Sequence, residues 1–219
     1  MTDSSAAWHV VANAAGIEVG SVLLDVGCGA GAFCAQAVTW GVAAHGLDAD
    51  RDRIEQARRR APEAELRVGL MEALPWPDDT FDVVTGFNAF QYAVDVDAAL
   101  AEARRVTQPG GRIAICKWAP PEHNELFALI DGLRGRELGR VADPIDAAVR
   151  RTELATRAAG DVPVAIELRD DVALEAALAA AGALPGGGEG RLAAAAAPFR
   201  RPDGSYRFAN RYSYRILQA

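Results

Sequence analysis

Along the first half of the chain, apolar positions fall into short unbroken runs, separated by stretches where they recur every three or four residues. Ser21–Val26, Val42–Leu47, Glu65–Gly69, Phe81–Phe87 and Arg112–Trp118 have strand length and a strand-like content of Val, Leu, Ile and Phe. Between them, Ala30–Trp40 and Asp50–Arg60 carry helical spacing. Val96, Ala99, Leu100, Ala103 and Val106 line one face of a further helix, which Gly110-Gly111 ends. A proline-rich loop, Leu74 to Pro77, precedes the fourth strand, and an amino-terminal helix precedes the first. Strands that alternate with helices at this interval build a parallel sheet covered on both faces. The expected fold is α/β, Rossmann-like and doubly wound.

The rhythm changes after Trp118. Glu122 to Gly160 reads as mostly helical, Val172–Ala181 as a second helix, and Pro185 to Gly190 as a glycine-rich breaker. The segment "RPDGSYRFANRYSYRI" makes a turn and then alternates Tyr206, Phe208, Tyr212 and Tyr214 in an aromatic strand. Arg191–Arg200, "RLAAAAAPFR", is either a short strand hairpinned to that one or a helix, and its alanines favour helix. The sheet therefore has six or seven strands. Residues 1–219 read as a single domain, with a helical lid at about 119–190.

The chain of 219 residues is half hydrophobic, enough for one full core. Its net charge of −7 argues against nucleic acid or an anionic membrane as partner, because phosphate neutralisation needs clustered cations. Arg58-Arg59-Arg60 follows Asp50, Asp52 and Glu55 on a helical pattern and reads as a solvated face. The three cysteines, Cys28, Cys34 and Cys116, form no CxxC, so neither a metal site nor a disulfide framework is expected and a reducing cytoplasm fits. The amino terminus lacks a secretory pattern, and no apolar run is long enough to span a bilayer.

The candidate chemistry begins at "LLDVGCGAGAF", Leu23 to Phe33, where a strand runs into glycines that let a ligand lie against bare backbone. Asp48 ends the second strand 21 positions after Gly27, a spacing that suits a carboxylate on a ribose diol. Taken alone, Gly27, Gly29 and Ala32 also satisfy a dinucleotide fingerprint, so a nicotinamide-dependent oxidoreductase is an open alternative. Asp25, two residues before Gly27, pulls the other way: a carboxylate there repels a pyrophosphate and suits a sulfonium or ammonium.

"VLLDVGCGAGAF" resembles the first motif of class I S-adenosylmethionine-dependent methyltransferases. "HGLDAD" (His45–Asp50), "MEALPWPDDTFDVVTGFNAF" (Met71–Phe90) and "EARRVTQPGGRI" (Glu102–Ile113) agree with it in order and spacing. These segments resemble the ubiquinone/menaquinone-type, small-molecule branch, over roughly residues 8 to 118. "PDGSYRFANRY" is similar to that branch's last, antiparallel strand. The resemblance implies S-adenosylmethionine as methyl donor, S-adenosylhomocysteine as product and no metal. It also implies a small-molecule acceptor and a cytoplasmic monomer or homodimer.

Carried over residue by residue, the resemblance puts Asp25, Gly27, Cys28, Gly29 and Gly31 around the donor's amino-acid end. Asp48 takes the ribose, with Ala49 and Arg53 beside it. Leu70, Met71 and Glu72 meet adenine, and Phe87 and Asn88 lie near the reacting methyl, with Gln91 and Tyr92 a turn further on. Leu70 stands where the branch usually has a carboxylate for adenine's amine, which leaves backbone, Glu72 or Asp79 for that role, or a weaker recognition of adenine. Lys117 stands where an apolar residue is commoner. Trp8, Phe90, Tyr92 and Trp118 are candidates for an apolar acceptor pocket. His123 is the candidate general base, while His9 reads as a cover or exposed residue and His45 as structural. A non-catalytic donor-binding module is the remaining alternative.

Overall fold

The computed structural model describes residues 5–135, 143–152, 154–183 and 189–219. The first part runs α1 (Ser5–Ala15), β1 (Val22–Val26), α2 (Ala32–Thr39), β2 (Ala43–Asp48), α3 (Arg51–Arg60), β3 (Glu65–Val68), β4 (Phe81–Phe87), α4 (Val96–Val106) and β5 (Thr107–Trp118). Then come α5 (Glu125–Leu133), α6 (Pro144–Arg151), β6 (Ala155–Leu168), α7 (Asp171–Ala180), α8 (Glu189–Ala196) and β7 (Tyr206–Gln218). Short 3₁₀ turns occupy Phe90–Tyr92, Pro121–His123 and Ala197–Phe199.

The seven strands are ordered β3-β2-β1-β4-β5-β7-β6. β1 pairs in parallel with β2 (Val22↔Ala43) and with β4 (Leu23↔Val83), and β4 pairs in parallel with β5. The last two strands run antiparallel. Ala219 N donates to Gly111 O and Gly110 N to Ala219 O, tying the end of the chain to the beginning of β5. From β1 the chain moves outward through β2 and β3, then returns to β4 on the other side of β1. Such a reversal opens a crevice at the carboxyl ends of the central strands, where ligands bind in open α/β sheets.

Contacts divide the chain into two compact units. One holds Trp8–Lys117, Ala142–Gly160 and Ser213–Ala219; the other holds Met1–Ala7, Trp118–Val141 and Asp161–Tyr212. In the first, Leu24, Val26, Phe81, Val84, Leu100 and Ile113 are buried on one side of the sheet, and Leu23, Phe33, Ala37 and Ile54 in a second cluster. In the second, Leu126, Leu129, Ile130, Leu174, Leu178 and Phe208 form a separate core.

Local chemistry explains the element boundaries. Asp50 caps α3, accepting from Asp52 N at 2.8 Å and Arg53 N at 3.2 Å. Arg58, Arg59 and Arg60 occupy its last turn, where cations complement the helix dipole. β5 starts earlier than its apolar run, directly after α4. Its pairing jumps from Phe81↔Thr107 to Val83↔Arg112, so "QPGG" is a bulge within the strand rather than a break before it. Gly110 there has φ +83, and a Cβ on Gly111 would meet Asp82 O at 2.7 Å.

Two expectations beyond Trp118 need correction or resolution. The stretch 119–190, read as helical, contains α5, α6 and α7 but also the 14-residue strand β6. Val162, Val164 and Ile166 alternate inward, but Ala155, Ala158 and Ala159 mask that period at the strand's beginning. Pro163 is tolerated because β6 is the edge strand. Arg191–Arg200 is helical: α8 runs into the 3₁₀ turn at Ala197–Phe199, and β6 supplies the seventh strand.

Candidate functional site

β1 ends in a glycine loop shaped by its own backbone. Gly27 N and Cys28 N both donate to Leu47 O, at 2.7 and 3.0 Å, and Gly31 N donates to Cys28 O at 3.0 Å. Gly27, Gly29 and Gly31 all have positive φ, from +55 to +74, which side-chain-bearing residues rarely adopt. A Cβ on Gly27 would lie 2.5 Å from Ala89 Cβ, and one on Gly31 would lie 2.7 Å from Ala57 Cβ. Beyond Gly29 the space is open, with Arg53 Nη1 the nearest group at 3.9 Å.

Two carboxylates flank this loop. Asp48 accepts from Gly29 N through Oδ2 at 2.8 Å and from Asp50 N through Oδ1 at 2.9 Å. Each oxygen has one backbone partner and keeps a lone pair for a ligand hydroxyl. Asp25 is 3% exposed and accepts from the Thr85 hydroxyl at 2.8 Å. Burial pushes its carboxyl up to about 7, against the Thr85 hydrogen bond, and the nearby Asp48 charge adds to the rise. A buried carboxylate with a second one nearby favours a cationic ligand group.

Cys28 is buried in the loop, its Sγ 3.8 Å from Gly29 O, and Ala49 is exposed beyond Asp48. The Cys28 thiol and burial push the Cys34 thiol up, and burial pushes Cys116 up to about 12. These two thiols stay protonated near neutrality. They supply no nucleophile.

Beyond β3, Leu70 is 60% exposed and Met71 packs against the core. Glu72 takes Val94 N at 2.7 Å and Asp95 N at 3.4 Å through the same oxygen. It fastens the loop after β3 to the loop after β4. Asp79 precedes β4, its amide bonded to Arg105 O, and so lies at the opposite strand end from the glycine loop. At the near end, Phe87 packs on Phe33 with ring centroids 4.5 Å apart. Asn88 takes positive φ, +52, and its amide donates to Cys116 O at 2.7 Å. Gln91 lies in the 3₁₀ turn that follows, and its side-chain oxygen is buried without a hydrogen-bond partner.

The proposed acceptor residues have different surroundings. Phe90 is fully buried in the core, and its ring fills the space over Gly86, where a Cβ would come within 2.5 Å. It is a packing residue of the core. Tyr92 is 77% exposed. Trp8 packs on Phe33 at 5.9 Å, and His9 on Trp40 at 5.0 Å. Trp118 stacks on Tyr212 at 4.0 Å, with Phe127 edge-on. Lys117 pairs with Asp143, which also caps α6 through Ile145 N at 2.9 Å. His45 sits 3.4 Å from Glu65, and its ring lies edge-on to Phe81 and Trp76.

His123 is exposed at the end of a 3₁₀ turn. Its neighbour Asn124, passed over in the sequence, is 1% exposed; it accepts from Arg211 N at 2.9 Å and donates to Ala119 O and Pro120 O. Thr85 was passed over too. Its signal was a lone hydroxyl in the apolar strand "FDVVTGF".

Comparison with known proteins fits this geometry. The family described as "Methyltransferase domain" matches residues 24–115. The chain is 36% identical over 129 residues to demethylmenaquinone methyltransferase of Mycolicibacterium paratuberculosis, covering 54% of this chain and 50% of that protein. It is 34% identical over 120 residues to malonyl-[acyl-carrier protein] O-methyltransferase of Yersinia pestis, covering 53% and 45%. The chain thus spans about half the length, or less, of these curated relatives. The YcgJ protein of Bacillus subtilis superposes with a TM-score of 0.65 over 96% of this chain and 97% of that one, at 22% identity, a likeness of fold. The matched segment holds the glycine loop, Asp25, Asp48 and the loops after β3 and β4, so the likeness to that methyltransferase family lies over the residues that build this site.

Proposed function

We propose that the protein transfers the methyl group of S-adenosylmethionine to a small organic acceptor. One observation supports this above the others: buried Asp25 and half-buried Asp48 stand at adjacent strand ends on either side of the open glycine loop. Asp25 suits the donor's ammonium, and the free lone pairs of Asp48 suit its ribose diol. A pyrophosphate in the same place would meet two carboxylates, which disfavours a dinucleotide.

The donor, when bound, supplies a methyl already activated by its positive sulfur. The chain's own residues then have mainly to orient and enclose it, and positioning of this kind can supply most of the acceleration. The glycine loop brings backbone against the amino-acid end, Asp48 fixes the ribose, and Phe87 with Asn88 end β4 beside them. The relatives' names join this domain type to acceptors as unlike as demethylmenaquinone and malonyl-[acyl-carrier protein], so the acceptor here follows from residues outside the matched segment. Three free, buried cysteines suit a reducing, cytosolic setting.

Calorimetry with S-adenosylhomocysteine and with NAD tests the proposal, followed by transfer of labelled methyl to an acceptor panel. Binding of the homocysteine nucleoside and not of NAD supports it. NAD binding alone replaces it with the oxidoreductase reading. Nucleoside binding without turnover across the panel leaves a binding module.

A further inference from the structure

Asp25 on β1 and Thr85 on β4 are paired residues of adjacent parallel strands, 3% and 0% exposed. The Thr85 hydroxyl has two acceptors, Asp25 Oδ1 at 2.8 Å and Leu24 O at 3.4 Å, and the nearer, charged one binds it more strongly. A hydroxyl buried in an apolar strand needs a partner, and so does the carboxylate opposite it. Oδ2 of Asp25 accepts from no described residue and is not sealed from solvent, so it remains for a ligand cation.

A donor ammonium gains from Asp25 only while Asp25 is ionised, and most of its surroundings oppose that state. Burial strips water from the carboxylate, and the Asp48 charge at the end of β2 repels it. The Cys34 thiol on α2 also feels Asp25, but the Cys28 thiol and burial hold it protonated, so it brings no charge. Among these groups the Thr85 hydroxyl alone favours the carboxylate. We infer that Thr85 is a positioning residue of the donor site: its hydroxyl keeps Asp25 charged, with Oδ2 free, for the donor's ammonium. This rests on the donor reading above.

The test is calorimetry between pH 5.5 and 8.5 with two probes. S-adenosylhomocysteine carries the ammonium, and 5′-methylthioadenosine lacks the whole amino-acid end. Thr85→Val removes the hydroxyl at nearly constant volume, and losing a hydrogen bond to a charged group moves its titration by about one pH unit or more. Affinity of wild-type protein for S-adenosylhomocysteine should fall below about pH 7. In Thr85→Val the fall should begin about one unit higher, so that binding is about ten-fold weaker at pH 6 and nearly unchanged at pH 8.5. Binding of 5′-methylthioadenosine should be alike in both proteins at every pH. Thr85→Ser keeps a hydroxyl and should restore the wild-type profile. Thr85→Ala lacks it with less bulk and should repeat the shift, which covers the case that Thr85→Val fails to fold. A hydroxyl-free variant whose profile breaks at the wild-type pH overturns the inference. So does an equal loss at every pH or for both probes, the mark of a merely structural role. If wild-type protein binds S-adenosylhomocysteine with no pH dependence, the donor reading stands and this inference falls. If it binds neither probe, the donor reading falls and takes this inference with it.

Discussion

Thr85 donates its hydroxyl hydrogen to Asp25 at 2.8 Å across paired parallel strands, and both residues are almost wholly buried. One hydrogen bond does not offset the loss of water around a carboxylate, so the Asp25 carboxyl titrates at about 7.

The first prediction follows by linkage. Asp25 has an ordinary value of 3.8 in the unfolded chain and about 7 in the fold, so folding favours its protonated form. Its contribution to stability is fully present below 3.8, is lost as pH rises toward 7, and is constant above that. Asp25→Asn does not titrate. It should stabilise the ligand-free protein at pH 8 by about a few kcal/mol at most, raising its melting temperature there with little change at pH 4, while weakening S-adenosylhomocysteine binding about 100-fold. Differential scanning calorimetry at the two pH values checks the sign. A lower melting temperature at pH 8 would contradict it.

Donor affinity should carry the same titration. A ligand ammonium needs Asp25 ionised, and the groups that bear on its charge are Thr85, which favours ionisation, and Asp48, which opposes it. Affinity for S-adenosylhomocysteine should therefore be flat above pH 7.5 and fall up to about ten-fold per pH unit below 7. In Asp25→Asn that dependence should vanish. Calorimetry between pH 5.5 and 8.5 measures it, and a pH-independent wild type would remove Asp25 from the binding site.

The glycine loop and both its carboxylates were legible because they rest on local backbone requirements: three positive-φ positions between a strand and a helix, and an acidic residue at the next strand's end. The engagement of Glu72 with Val94 N was not legible, since it joins loops 22 residues apart and depends on how β3 and β4 are placed. Phe90 reads equally well as pocket or core, and the bare backbone of Gly86 beneath its ring decides for core. β6 was hidden for another reason. Its first half carries three alanines and Arg157, whose intrinsic preference is helical, and sheet formation by Val162, Val164 and Ile166 overrides it.

Asp48 does two jobs, and its variants should separate them. Asp48→Ala removes the acceptor for both Gly29 N and Asp50 N, so it should loosen the loop and lower stability by about 1–2 kcal/mol. Asp48→Asn keeps one acceptor oxygen and the side-chain volume. It should fold with a smaller penalty yet bind S-adenosylhomocysteine at least about ten-fold more weakly, because one charge-assisted hydrogen bond to the diol is lost. Calorimetry paired with thermal melts distinguishes the two. Unchanged affinity in Asp48→Asn would place the ribose elsewhere.

His123 and Asn124 are adjacent in sequence and should behave oppositely. Asn124 is buried, and its side chain bridges Ala119 O and Pro120 O on one side and Arg211 N on the other, while Glu125 accepts from Ala209 N at 2.6 Å. Asn124→Ala strips partners from these backbone groups and opens a small cavity, so it should cost roughly 2–3 kcal/mol of stability. His123 is exposed on the last residue of its turn, and substitution there touches no such network. His123→Ala should melt within about a degree of wild type, as surface substitutions away from networks usually do. It thereby isolates chemistry from folding. With an acceptor in hand, a kcat about 100-fold lower in His123→Ala at unchanged melting temperature would make this imidazole the general base. Activity within a few-fold of wild type, the outcome its exposure favours, leaves rate enhancement to the placement of donor and acceptor by the loops around Asp25 and Asp48.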